Sequence, residues 1–409
     1  GRGGNTIFAL DVSNVDSFSA SNVLWEFSDP DMGNFLGKPQ LVRLNNGKWA
    51  VIAGNGYNST NERPELFIID AETGTLIRKI TAGDGTDENN GLSTALAVDI
   101  NSDLITDFIY TGDLKGNLWK FDLSASNSAS WNVAFSNTPL YTALAPDGNV
   151  QPIMSKPVIA AHPNGGFLIL FGTGKFFAQG DEIIPSSDVS IVSFYGIRDN
   201  GSPVGSVGAR SLPSAGAQPS NILQPQAITT ERDETKDSVT TKIRITTDNK
   251  VDYDGSSSSS TQHGWYLDLI SPVDGTQGER VIADPQLRNT QDTTVVLFNT
   301  FVPGGSCQSI GGFSTLMTLD ALNGSRTPFS IFDLNGDNLI DNSDKDSVTG
   351  LAANGRIGKQ SVSAVTVISG SDGTENFVIQ SSTQAITPTV DRVAGSATSL
   401  GRQSWRQIQ

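Results

Sequence analysis

Cysteine, histidine and basic side chains are the scarce residues of this chain. Cys307 is the one cysteine among 409 residues, so no internal disulfide, zinc ribbon or iron–sulfur centre can be built from it. The two histidines, His162 and His263, stand far apart in sequence, which argues against a histidine-based zinc site. Lys and Arg number 27 against 43 Asp and Glu, a formal charge of −16. So acidic a chain lacks the clustered cations that a nucleic-acid partner demands; it suits a soluble surface, or one that attracts cations. Long apolar runs are missing as well, and no stretch approaches the ~18 residues of a bilayer-spanning helix. The opening Gly1-Arg2-Gly3-Gly4 has neither the basic nor the apolar region of a signal peptide. It leads straight into the strand-like Ile7-Phe8-Ala9-Leu10, as in a fragment cut at a domain boundary.

Helical periodicity is also scarce. Short apolar runs bounded by Gly, Asn, Asp and Ser dominate, the pattern of strands and tight turns. Leu118-Trp119-Lys120-Phe121-Asp122-Leu123 alternates, whereas Phe167-Leu168-Ile169-Leu170-Phe171 and Val295-Val296-Leu297-Phe298 are wholly apolar, as strands covered on both faces are. The fold class is all-β. One unit recurs: an aromatic or aliphatic strand ending in aspartate or a close equivalent. It ends at Asp11, Asp70, Asp122, Asp199, Asp268 and Asp320, and twice it continues into a glycine turn, Asp70-Ala71-Glu72-Thr73-Gly74 and Asp320-Ala321-Leu322-Asn323-Gly324. A weaker seventh copy combines residues 363–368 with 377–380. Multi-stranded repeats at such spacings are the mark of β-propeller blades, each of which needs a neighbour to cover its faces. Two stacked β-sandwiches are the competing architecture. The expectation is one propeller over residues 1–409, with loop insertions at 200–230, rich in Gly, Ser, Ala and Pro, and at 246–261, around Ser256–Ser260.

Two acidic loops carry the sharpest chemistry. The first, Asp99 to Asp107, bears oxygen at positions 1, 3, 5 and 9 (Asp99, Asn101, Asp103, Asp107), with the Ile105 carbonyl at position 7. Alternating oxygens in a tight turn converge on one centre and suit Ca²⁺. Position 6, where the turn favours glycine, is Leu104; a bulky residue at φ > 0 costs about 1 kcal/mol or more. The second, Asp333 to Asp344, matches twelve positions: Asp333, Asn335, Asp337, the Leu339 carbonyl, Asp341 and Asp344, with Asn338 at the turn. Ordinary Asx turns are the alternative for both. The third acidic stretch, from Asp84, has Leu92 where a closing ligand belongs and reads as a solvated loop. Gly172-Thr173-Gly174-Lys175 is followed by Phe176 rather than Ser or Thr, so it reads as a buried strand end, not a phosphate loop. His162 reads as a turn residue, and Cys307 has no basic neighbour to activate it. No catalytic residue is assigned.

Asp99–Asp107 with the following Phe108-Ile109-Tyr110-Thr111-Gly112-Asp113-Leu114-Lys115-Gly116-Asn117-Leu118-Trp119 closely resembles the PilY/PilC family of type IV pilus tip-associated adhesin and biogenesis proteins. So do Trp25-Glu26-Phe27-Ser28-Asp29-Pro30, His162-Pro163-Asn164-Gly165-Gly166, Gly264-Trp265-Tyr266-Leu267-Asp268 and Gly401-Arg402-Gln403-Ser404-Trp405, in matching order along the chain. The resemblance implies a modified seven-bladed propeller with one calcium loop at Asp99–Asp107, and a role in pilus extension against retraction, twitching motility and adhesion. It implies minor pilins at the pilus tip as partners, with host-cell or surface receptors reached through the full-length protein, whose N-terminal adhesive region is absent here. The implied location is the surface or outer membrane of a Gram-negative bacterium. Two rivals come from other classes. One is a calcium-dependent glycan- or receptor-binding propeller. The other is a quinoprotein-like dehydrogenase, whose turns resemble Asp70–Gly74 but whose quinone typically stacks on a disulfide that one cysteine cannot supply.

Overall fold

The computed structural model describes residues 4–34, 37–86, 89–184, 189–204, 222–256, 261–290, 293–304, 312–358, 362–369, 374–381 and 389–394, the last three as backbone alone. The all-β expectation holds: among the described residues there are 25 strands, and no α-helix exceeds one turn. The chain divides into two compact units, one of Gly1–Lys175 with Ile197–Ile222, the other of Phe176–Gly196 with Leu223–Gln409.

In the first unit, β1 (Thr6–Leu10) and β2 (Val23–Ser28) form a two-stranded antiparallel ribbon. Next, β3 (Gln40–Arg43), β4 (Trp49–Gly54), β5 (Glu65–Asp70) and β6 (Leu76–Thr81) make a four-stranded meander in sequence order. The pattern repeats in β7 (Leu96–Val98), β8 (Phe108–Gly112), β9 (Asn117–Asp122) and β10 (Asn132–Val133), with β11 (Tyr141–Thr142) also pairing with β9. The hairpin β12 (Val158–Ala161) and β13 (Phe167–Gly172) follows. β14 (Ser193–Asp199) contributes its first residues to the second unit and its last to the first.

In the second unit, β15 (Gln224–Gln226), β16 (Ile228–Lys236), β17 (Val239–Thr246) and β18 (Gly264–Asp268) precede β19 (Gln286–Asn289), β20 (Thr294–Pro303), β21 (Gly312–Asp320) and β22 (Gly355–Gly358). Six of these form one sheet in the order β16-β17-β22-β21-β20-β19, while β15 lies parallel to β18. A three-stranded sheet of β23 (Val362–Ser369), β24 (Thr374–Ser381) and β25 (Thr389–Ala394) closes the series and contains the weak seventh repeat. A four-stranded meander is the building block of a propeller; among the described residues the sheets are not traced as a closed ring. No helix among them is long and apolar enough to cross a membrane.

The expected insertions are more structured than their composition suggests. Residues 205–221 lie outside the described residues, but Gln224–Gln226 and the start of Ile228–Lys236 are strand, not loop. β15 pairs far along the chain, Gln224 against Trp265, whereas β16 folds back on β17 as a hairpin that begins inside the expected insertion, Ile228 against Thr246. Within 246–261, Tyr253 is buried and its hydroxyl donates to the Leu322 carbonyl at 2.7 Å; Ser257–Ser260, most of the expected tip, lie outside the described residues. Cys307 falls outside the described residues.

Packing in the first unit follows from β5, whose six residues are all buried. Alternate side chains leave opposite faces of a strand. Leu66 and Ile68 join Ile52, Ile109, Trp119 and Phe121 in one core, and Phe67 and Ile69 join Ile7, Trp25 and Ala53 in another. A sheet with two apolar faces has to be stacked between neighbours, and each fully buried Leu, Ile or Phe contributes roughly 1.5–3 kcal/mol to that stacking.

Each repeated aspartate marks a strand end. Strands β5, β9, β14, β18 and β21 finish at Asp70, Asp122, Asp199, Asp268 and Asp320, and β1 finishes one residue before Asp11. At Asp11, Asp70, Asp122 and Asp199 one carboxylate oxygen accepts the N–H two residues on, at 2.9–3.0 Å, the Asx turn that stops a strand. The turns after Asp70 and Asp320 do more. The Trp25 indole donates to the Ala71 carbonyl at 2.9 Å, and the Trp265 indole to the Ala321 carbonyl at 3.0 Å. Each ring lies on the turn glycine: a Cβ on Gly74 would stand 2.6 Å from Trp25, and one on Gly324 would stand 2.2 Å from Trp265. Both glycines also hold φ near +70°. In the second unit, Phe194 extends the stack between Trp265 and Phe298. Arg244 is fully buried there, forked onto Glu279 at 2.6 and 2.9 Å and donating to Glu231 at 2.9 Å.

Gly47 separates conformation from contact, since it holds φ +84° with nothing near its missing Cβ. Gly47→Ala is expected to cost about 1 kcal/mol of unfolding free energy from backbone strain alone. Gly74→Ala is expected to cost at least about twice that, because Trp25 must also move. Equal losses in urea titrations would show that the indole contact does not require the glycine.

His162 sits in the β12–β13 turn, as expected from sequence, and its Nδ1 accepts the Asn164 N–H at 3.1 Å. Burial, then the nearby Arg198, push its pKa down to about 4. An unfolded histidine titrates near 6.5, so the folded state binds this proton less readily. The contribution to stability is therefore whole above about pH 6.5 and drains away as pH falls toward 4. His162→Asn is expected to flatten the pH dependence of unfolding in that window; an unchanged slope would show that His162 is not its source.

Candidate functional site: two acidic loops

The first acidic loop is the connection of a hairpin. Val98 and Phe108 are the last pair of β7 and β8, and the Asp107 N–H donates to the Val98 carbonyl at 2.9 Å, so residues 99–107 form a closed ring. Inside it, Asp99 Oδ1 accepts the N–H groups of Ser102 at 2.7 Å and Asp103 at 3.3 Å, while Oδ2 accepts that of Leu104 at 2.7 Å. Asn101 Oδ1 accepts the Asp103 N–H at 3.0 Å and Asp103 Oδ1 accepts the Ile105 N–H at 2.8 Å. Burial works against ionisation of Asp99, but the N–H groups of Leu104, Ser102, Asn101 and Asp103 outweigh it and hold its pKa below the usual carboxylate value.

The second loop lies between β21 and β22 and repeats this wiring. Asp333 accepts the Gly336 N–H at 2.7 Å and, through its other oxygen, the Asn338 N–H at 3.0 Å. Asn335 accepts from Asp337 at 3.1 Å, and Asp337 from Leu339 at 2.7 Å. Position 6 is left-handed in both loops: φ is +68° at Leu104 and +67° at Asn338. The spacing in sequence therefore produces one shared backbone geometry, including the positive φ expected at Leu104, whose side chain is 83% exposed.

The closing carboxylates also correspond. Asp107, buried, accepts the N–H of Ile100 at position 2 of its loop, at 3.1 Å. In the second loop Asp344, buried, accepts the N–H of Leu334 at position 2, at 2.8 Å. Burial raises the pKa of Asp344 against the opposing N–H groups of Asp341, Leu334 and Asn335. Asp341 instead accepts the Ser343 N–H at 2.7 Å and caps the short 3₁₀ turn Asn342–Asp344; Ser343 holds its pKa down.

Both loops are moored by residues that sequence reasoning missed. Asn45 Nδ2 reaches the carbonyls of Thr106 and Leu123 at 3.2 Å each and Asp107 Oδ1 at 3.3 Å. The Thr106 N–H donates to the Arg43 carbonyl at 2.8 Å, so the β3–β6 meander grips the first loop. Ile331, Phe332 and Leu334 are buried in a core with Ile243, Val295 and Leu297 and anchor the second loop. The tip of the β16–β17 hairpin holds its far side, through Lys236 to the Ser343 carbonyl and Arg232 to Asp346. Nothing local in the sequence marks Asn45, which is 62 residues from Asp107.

These donors are carboxylate, amide and carbonyl oxygens, the set that hard divalent cations take. Among the described residues no three His, Cys, Asp or Glu side chains converge as a ready-made cage; the carboxylates are occupied with the loops' own N–H groups. Each ionised carboxylate offers about four acceptor positions, so those bonds leave capacity for a cation. Asp84 makes an exposed Asx turn with Thr86, as expected; Asp87 and Glu88 lie outside the described residues. Thr173 is buried and Gly174 bridges to Ile153, the strand end expected there.

Leu104→Gly is expected to raise the urea midpoint. Release of about 1–2 kcal/mol of left-handed strain exceeds the ~0.4–1 kcal/mol of extra freedom that glycine gives the unfolded chain. A lowered midpoint would show that the exposed leucine is not strained.

A family model described as the PilY1 beta-propeller domain matches residues 1–236. The chain is 41% identical over 343 residues to a type IV pilus biogenesis factor PilY1 homolog of Xylella fastidiosa, covering 79% of this chain and 21% of that protein. It is 34% identical over 430 residues to the type IV pilus biogenesis factor PilY1 of Pseudomonas aeruginosa, covering 100% of this chain and 35% of that one. It thus spans between a fifth and about a third of these relatives. The crystal structure of the Pseudomonas aeruginosa PilY1 C-terminal domain matches with a TM-score of 0.78 and 32% identity, over 95% of this chain and 78% of that one.

Proposed function

Because the chain belongs to the PilY1 β-propeller family, we propose that it is the non-enzymatic propeller of a type IV pilus biogenesis factor, acting at the pilus tip on the cell surface. Its sheets are the blades of a seven-bladed ring. Its partners are minor pilins, and the whole protein supports pilus extension against retraction, with twitching motility and adhesion as the outcome. The relatives' designation as pilus biogenesis factors supports this reading.

The loop's part in that function is to bind Ca²⁺. Asp99, Asn101, Asp103, Asp107 and the Ile105 carbonyl would hold the ion in the first loop; Asp333, Asn335, Asp337, Asp344 and the Leu339 carbonyl would do so in the second, with Asp341 on its rim. The observation that carries this is the shared wiring of the two loops around a positive φ at position 6. An ion there neutralises carboxylates that otherwise repel one another. Through Asn45 it also fixes the edge of the β3–β6 meander, favouring whichever docked state needs that edge ordered.

Calorimetric titration of the chelator-treated protein with Ca²⁺ tests this. Saturable binding is expected, with a raised melting temperature, loss of the first-loop event in Asp107→Ala and tighter binding in Leu104→Gly. Binding that survives Asp107→Ala and Asp344→Ala together would overturn the assignment. In a bacterium dependent on the full-length protein, Asp107→Ala is expected to reduce surface pili and twitching at unchanged protein level; wild-type piliation would separate the ion from the function.

A further inference from the structure

The two acidic loops share their inner wiring but differ in what holds the closing carboxylate. Asp344 takes its donors from its own loop: the Leu334 and Asn335 N–H groups on Oδ1, at 2.8 and 3.4 Å, and the Asp341 N–H on Oδ2, at 2.9 Å. Asp107 is held from two sides. Its Oδ2 accepts the Ile100 N–H of its own loop at 3.1 Å, whereas its Oδ1 accepts from the side chain of Asn45, in the turn between β3 and β4, at 3.3 Å. A carboxylate bonded at both oxygens has its plane fixed, and each oxygen keeps acceptor capacity for a further partner.

The turn that carries Asn45 is made by other groups. The Gly47 N–H donates to the Leu44 carbonyl at 2.9 Å, a β-turn with Asn45 and Asn46 at its centre. Asn46 supplies the turn's side-chain bond, its Oδ1 accepting the Lys48 N–H at 3.1 Å. The Asn45 amide instead donates outside the turn, to the Thr106 and Leu123 carbonyls as well as to Asp107. The Leu123 N–H in turn donates to the Asp107 carbonyl at 2.8 Å, and Leu44 bridges in parallel to Thr106. One amide thus ties the closing carboxylate and its surrounding backbone to the β3–β4 turn. Carboxylates that bind a metal are oriented by such outer partners, whose loss costs about 10–100-fold in affinity. Resting on the reading of Asp99–Asp107 as a calcium loop, we infer that Asn45 is a positioning residue of that site. It sets the cation affinity of the first loop from the neighbouring sheet, while the carboxylate of the second loop is oriented by its own loop. Coupling through a shared contact is reciprocal: an occupied first loop orders the β3–β4 turn, and displacement of that turn weakens binding in the loop.

Hydrogen exchange read by mass spectrometry along a Ca²⁺ titration of the chelator-treated protein tests this, because it reports each loop separately. In the wild type, residues 99–107 and 43–48 are expected to gain protection at one shared midpoint, and residues 333–344 at a midpoint of their own. Asn45→Ala is expected to move the 99–107 midpoint to roughly tenfold higher Ca²⁺ or more. It should also abolish the calcium response of 43–48 and leave the 333–344 midpoint in place. Asn46→Ala removes the Lys48 bond from the same turn without touching Asp107; it is expected to speed exchange at 43–48 and to keep the 99–107 midpoint. If Asn45 only stabilised its turn, the two alanine variants would shift the 99–107 midpoint alike, and that result would overturn the inference. So would a wild-type 43–48 segment that ignores calcium while 99–107 responds, a measurement that depends on no variant folding. Absence of protection at 99–107 in the wild type would instead overturn the calcium reading itself, and the inference with it.

Discussion

A tryptophan laid on a glycine turn, its indole N–H given to an alanine carbonyl, is the contact on which the sheet packing depends in each unit. In the first unit Trp25 of the β1–β2 ribbon reaches the turn after β5, and in the second Trp265 of β18 reaches the turn after β21. The ring requires a residue without Cβ beneath it, the hydrogen bond fixes where the ring sits, and the turn's aspartate fixes the backbone that offers the carbonyl. Stacking by apolar burial is otherwise non-directional. This contact gives it a register.

Both acidic loops use the same economy of means. An aspartate accepting backbone N–H groups ends a strand at the repeat turns, and a run of such acceptors at alternate positions curls the chain into a ring at Asp99–Asp107 and Asp333–Asp344. The two kinds of turn differ in how many oxygens point inward, and hence in whether a cation has a reason to be there. Each ring is seated on its neighbours, the half-buried Asn45 and buried Thr106 for one and the buried Ile331, Phe332 and Leu334 for the other, so order in a ring is coupled to order in a sheet.

Much of this was legible in the sequence because its causes are local. An apolar run ending in aspartate sets both a strand and its termination, and all six such aspartates end or follow strands. Asx side chains at alternate positions set the ring, down to the positive φ at Leu104. The strands β15 and β16 inside the expected 200–230 insertion were not legible, nor was the burial of Tyr253 in the insertion at 246–261. β15 and Tyr253 have partners far along the chain, Trp265 and Leu322, and β16 is set by its hairpin with β17 beyond the insertion's end.

By itself, then, the sequence determined the all-β class, the strand ends, the two oxygen-rich rings and, through ordered motifs, the family. These depend on which hydrogen bonds a residue can make within a few positions of itself, and side-chain chemistry settles that. Only the tertiary structure decided that Gly74 and Gly324 lie under tryptophans, and that Asn45 ties Asp107 to another sheet. It also decided that Asp344, at the closing place expected from the spacing, is buried while Asp341 turns to the Ser343 N–H, and that Phe8 and Leu24 are exposed while Ile7 and Trp25 are buried. Those outcomes turn on which surfaces meet across tens of residues, where burial and chain entropy are balanced over a whole unit.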